Sequence, residues 1–100
     1  MVKHIVMWKL KKHSDLTHKI AAAMEIKKSL ERLTSLIIQI RKLEVGMNFS
    51  TSDRAYDIVL YTEFDSKKDL EHYSVHPEHV KIKAFIDSIV EDRVIVDYET

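Results

Sequence analysis

Between Lys3 and Leu10 apolar residues occupy both alternating sets of positions, Ile5 and Met7 in one, Val6, Trp8 and Leu10 in the other. Successive side chains of a strand point to opposite faces, so this segment predicts a strand covered on both sides, with His4 on the face of Val6 and Trp8. Leu16, Ile20, Ala23, Ile26, Leu30 and Leu33 then recur every three or four residues. That spacing predicts an amphipathic helix of about five turns, opened by Ser14 or Asp15 as its cap. The run from Leu36 to Phe49 alternates through Ile38, Gln39, Ile40 and Arg41 and predicts a second strand, with Gly46 at a bulge or turn. Asn48 to Arg54 reads as a polar connector. Tyr56 to Phe64 is dominated by β-branched and aromatic residues and is the clearest strand.

Ser66 stands three residues before Asp69, a spacing close to a capping box, and predicts a helix from Lys67 with Leu70 and Tyr73 on one face. Pro77 biases His76 away from helical geometry yet suits the first position of a helix. The helix is therefore expected to break at Val75–His76 and restart, carrying Val80, Phe85, Ile86 and Ile89 towards a core. Arg93 to Tyr98 closes the chain as a strand. The order β-α-β-β-α-β predicts an α+β, ferredoxin-like subunit: a four-stranded antiparallel sheet with helices on one face. Ile5, Met7, Val59 and Tyr61 would then line the open face, and a second copy of the chain is the simplest cover, giving a homodimer in the form of a dimeric α/β barrel.

Composition narrows this picture. One hundred residues with a single glycine and a single proline leave no linker, so residues 1–100 are expected to form one domain. Sixteen basic and sixteen acidic residues cancel, which argues against a nucleic-acid surface. The absence of cysteine removes disulfides, thiolate nucleophiles and thiolate metal sites. The first residues interrupt their apolar run with charge, unlike a signal peptide, and no run is long enough to span a membrane. The chain is read as cytoplasmic, without a membrane partner. No phosphate-cradling glycine loop or nucleophile elbow is present.

The chemistry that remains is that of His and Tyr. His79 falls in the first turn of the last helix, where the positive helix end favours neutral imidazole, a base able to take a proton beside a carbonyl. It could equally serve only to bracket the helix break. Tyr73 could donate a hydrogen bond to a developing enolate, or simply pack. His4 could orient a ligand, or be a satisfied core group. His72, His76 and His79 share helical spacing, but Pro77 interrupts it and no carboxylate completes a set, so neither metal nor cofactor is expected. His13 and His18 read as surface, and Lys9, Lys11, Lys12 and Lys19 as a solvated face. Met7, Met24 and Met47 read as gap fillers. Arg93 belongs either at a pocket mouth or in a surface ion pair.

Four blocks in order carry a family resemblance: Lys3-His4-Ile5-Val6 with Trp8-Lys9, Tyr56-Asp57-Ile58-Val59-Leu60, Tyr73-Ser74-Val75-His76-Pro77-Glu78-His79-Val80, and Asp97-Tyr98. Together they resemble the stress-responsive dimeric α/β-barrel (Dabb) family over nearly the whole chain. The resemblance implies a ferredoxin-like homodimer. It also implies, by likeness to the family's plant cyclase that forms olivetolic acid, a cofactor-free aldol-type closure of a poly-β-keto thioester. Tyr73 and His79 would then be catalytic and His4 would be the pocket's strand histidine, with Val6, Trp8, Ile58, Leu60 and His76 around the substrate. That cyclase has a second strand histidine where this chain has Ile58, so the pocket differs in polarity. Two alternatives stand beside a cyclase for a small carbonyl-containing or apolar ligand: a non-catalytic stress-response dimer, and a cofactor-independent monooxygenase of the same fold.

Overall fold

The computed structural model describes residues 1–12 and 15–100. Its elements are β1 (Val2–Leu10), α1 (Leu16–Glu31), α2 (Leu33–Leu36), β2 (Lys42–Met47), β3 (Ile58–Phe64), α3 (Lys67–Val75), α4 (Pro77–Asp87) and β4 (Val90–Glu99). The four strands form one antiparallel sheet in the order β2-β3-β1-β4, with the helices on one face, which is the ferredoxin-like α+β arrangement.

The alternation in β1 decides which face is which. Val2, His4, Val6, Trp8 and Leu10 are buried on the helix side, together with Ile58, Leu60, Thr62 and Phe64 from β3. Ile26, Leu30, Leu33, Tyr73 and Ile86 close the core from the helices. Asp57 locks the corner: its carboxylate accepts from the Leu10 amide (2.7 Å) and pairs with Lys19 (3.0 Å), while its own amide donates to the Trp8 carbonyl (2.8 Å).

Asp15 caps α1, its carboxylate accepting from the His18 amide at 2.9 Å; Ser14 and His13 lie outside the described residues. The apolar stripe of α1 is covered only in its later turns: Leu16 is 69% exposed and Ile20 is also exposed, whereas Ala23, Ile26 and Leu30 are buried. At α3 the Ser66 hydroxyl accepts from the Asp69 amide at 3.1 Å. Ser66→Ala is expected to cost about 1 kcal/mol, read as a lower urea midpoint, because it orphans that amide at the helix start.

Three expectations are corrected. Leu36 to Ile40 is not part of β2: Leu36 ends α2, and Ile37 and Ile40 plug the core from a turn while Ile38 is 84% exposed. Burial at 37 and 40 follows that turn rather than a strand's alternation. Gly46 is neither bulge nor turn but pairs in register with Val59 inside β2; a Cβ there would come to 3.1 Å from a Val59 methyl, so close approach is what glycine allows. In α4, Ile86 is buried and Ile89, just beyond it, is half-buried, but Val80 and Phe85 are exposed and Ile82 faces inward instead.

The other sheet face presents Ile5, Met7, Val59, Val94 and Val96 around Tyr61 and Tyr98. Charged residues rim it. Lys42 lies over the Tyr61 ring at 5.6 Å, Lys3 over the Tyr98 ring at 5.9 Å, and the Tyr61 hydroxyl donates to Glu63 at 2.6 Å. No helix among the described residues is long and apolar enough to cross a membrane.

Candidate functional site

The break at Pro77 builds the site. Tyr73 sits in the last turns of α3 and His79 in the first turn of α4, and the bend brings their rings to 4.4 Å between centroids. His76 holds the bend: its Nδ1 accepts from the Glu78 amide at 3.1 Å, capping α4. His79 Nδ1 lies 3.0 Å from the Ser74 carbonyl, which can only accept, so Nδ1 carries the proton and Nε2 of neutral His79 holds a free lone pair. Burial lowers the pKa of His79 and outweighs the bond to Ser74, which raises it; His4, Lys83 and Arg93 nearby add smaller lowering contributions. His79 is thus poised as a neutral base.

Tyr73 is 1% exposed, and its hydroxyl has no partner among the described residues. Burial pushes its pKa well above the usual value, so the hydroxyl keeps its proton and can donate a hydrogen bond to a developing negative charge. Phe64 packs against the ring at 5.1 Å and His4 meets it edge-on at 5.8 Å. His4 is itself fixed from two sides: the Thr62 hydroxyl donates to its carbonyl at 3.0 Å, and its Nδ1 donates to the Asp97 carboxylate at 2.5 Å.

His4, Tyr73 and His79 line one cleft between sheet and helices, together with Val6, Trp8 and Leu60. Two expected pocket residues do not: Ile58 is buried in the sheet under the far end of β1, and His76 is spent on capping α4. The cleft's enclosed free space is about 20 Å³, room for about one water molecule, and the whole concavity including its open mouth spans about 320 Å³. A larger ligand therefore enters the enclosed part only if the lining opens. No group of three or more His, Asp or Glu among the described residues is arranged to hold a metal ion. Of the basic cluster, Lys11 donates to the Ser88 carbonyl and Lys19 pairs with Asp57, so both have structural partners.

The family model for the stress responsive A/B barrel domain matches residues 2–100. The chain belongs to this family. The A/B barrel chain is 28% identical to a stress-response A/B barrel domain-containing protein of Arabidopsis thaliana, over 98% of this chain but 36% of the plant protein, so it spans about a third of that relative's length. A dimeric protein of unknown function from Bacteroides fragilis is 38% identical, with a TM-score of 0.88, over 99% of this chain and 95% of its own. The hydroxynitrile lyase of Passiflora edulis, 18% identical, shares the fold at a TM-score of 0.81 over 97% of this chain and 90% of its own.

Sequence reasoning missed part of this A/B barrel's cleft. Ile82, Lys83, Ile86 and Asp87 line it alongside His79, and their separations of three, four, seven and eight from His79 mark one helical face. That spacing was the available signal. The His4–Asp97 bond had no local signal, because the two residues meet only through the β1–β4 register.

Proposed function

We propose that this chain acts as a homodimer in which each subunit binds a small carbonyl compound in the cleft and moves a proton at the carbon beside the carbonyl. The observation that carries this reading is the pairing of a neutral His79, its Nε2 lone pair free, with the partnerless hydroxyl donor of Tyr73. His79 Nε2 would take the proton, leaving an enolate, and Tyr73 would stabilise the enolate oxygen. Attack of the enolate carbon on a second carbonyl of the same molecule, with the proton returned from His79 to the new alkoxide, completes an aldol closure of the olivetolic acid cyclase type. No cofactor is needed. The fold shared with the Passiflora lyase supports chemistry on a small substrate. The dimer is supported by the Bacteroides relative and by the apolar open face.

The test is deuterium exchange beside the carbonyl of acetone, butanone and acetophenone in heavy water, followed by NMR. The protein is expected to accelerate exchange of at least one ketone, and His79→Ala to return the rate to the buffer background. The acid limb of the rate should lie below the 6.5 of an ordinary histidine. Stability follows the same sign: the unfolded chain takes up the proton before folded His79 does, so stability is complete above about 6.5 and falls as pH drops towards the folded value. His79→Gln should flatten that part of the urea-midpoint profile.

A second reading, a non-catalytic dimer, draws on the small enclosed space of the cleft. It predicts no exchange of any ketone and no movement of the His79 ring signals on adding one.

A further inference from the structure

We propose that the cleft selects carbonyl compounds that carry a carboxylate, with the Arg93 guanidinium as the carboxylate's anchor. This rests on the proton-transfer reading above only for the second half of the ligand, the carbonyl.

Arg93 stands on β4 directly opposite Trp8, on the helix side of the sheet, and lines the same cleft as Tyr73 and His79. The other charges there are matched. Lys83 pairs with Asp87 at 2.9 Å within α4, and Asp97, two positions beyond Ile95 on the face of Arg93, is bound to His4. Asp92, the nearest acid along the strand, accepts from the Tyr56 hydroxyl and from the backbone amide of Arg93. Among the described residues Arg93 forms no ion pair. Its positive charge nonetheless reaches both His79 and Tyr73, where it acts on their protonation.

An uncompensated guanidinium at the mouth of a half-closed, mostly apolar cleft attracts an anion, and its planar fork matches a carboxylate with two parallel hydrogen bonds. Trp8 beside it and Val6 and Leu60 further in offer apolar surface for a short carbon chain. Such a ligand would place its carboxylate at Arg93 and its carbonyl towards Tyr73 and His79. Arg93 is thus a specificity residue, outside the proton transfer itself.

The probes are levulinate, a keto acid, and methyl levulinate, its neutral ester, titrated against the full chain by NMR at low salt. Levulinate should bind about tenfold more tightly. Arg93→Gln should bring the ratio to about one, Arg93→Lys should keep part of it, and a wild-type urea midpoint confirms that each variant is folded. His79→Ala should keep the preference while losing exchange, since anchoring and proton removal lie on different residues. Equal affinity of the two probes, a preference untouched by Arg93→Gln, or no binding of levulinate at millimolar concentration would overturn the inference. Exchange without carboxylate preference sinks the Arg93 site alone. Carboxylate preference without exchange of any ketone supports the site and sinks the proton-transfer reading.

Discussion

Tyr73→Phe is expected to leave the protein at least as stable as the wild type while lowering ketone exchange about a hundredfold. The two effects have one origin. The hydroxyl is buried without a protein partner, and such a group costs about 1–3 kcal/mol against a satisfied one. Phenylalanine keeps the packing against Phe64 and His79 and removes the stranded group, so a gain of about 1 kcal/mol in urea unfolding is the expected sign. In the proposed proton transfer the same deletion would remove the hydrogen bond to the enolate, and loss of one such donor typically costs a factor of about 100–1,000. A variant that is destabilised and keeps full exchange would show that the hydroxyl serves the fold and not a ligand.

Val96→Asp is expected to convert a dimer into a monomer at micromolar concentration, measured by sedimentation velocity. Val96 lies on the open sheet face, opposite Ile5, and is 54% exposed in the subunit, so the isolated chain can carry aspartate there in contact with water. In a face-to-face dimer the same position is covered. A two-fold interface contains every substitution twice, and an unpaired carboxylate buried there costs at least about 3 kcal/mol, a factor of about a hundred in the dissociation constant. Lys28→Ala, exposed on α1 on the helix side of the sheet, should leave the dimer intact. A wild-type chain that sediments as a monomer, or an aspartate variant that dimerises normally, would remove the sheet face as the interface.

What could be read from residues alone was what local chemistry decides. Ser66 with Asp69, and His76 before Pro77, act within a few positions, and both helix starts fall where those residues place them. Strands β1 and β3 were equally legible, β1 from apolar residues in both alternating sets and β3 from its β-branched and aromatic residues. Leu36 to Ile40 failed because apolar residues in a turn that plugs a core look the same as apolar residues in a strand. The site was legible to the same extent. Tyr73, His76 and His79 gather around one bend, but His76 is consumed in making it. Residues alone leave Arg93 at a pocket mouth or in an ion pair, and choosing between the two needs the positions of Asp87, Asp92 and Asp97 in space. Asp97 itself becomes visible only through a pairing that joins opposite ends of the chain.

That pairing ties the cleft to the order of synthesis. His4 leaves the ribosome before Asp97, and β1 is an inner strand that needs β4 beside it to complete its ladder. Helices α1, α3 and α4 can form locally as the chain emerges, but the sheet they cover cannot close until residues 90–99 arrive. A chain that stops before residue 90 therefore lacks both His4's partner and Arg93. The cleft is completed only when β4 docks, so a chain cut short before β4 cannot present it.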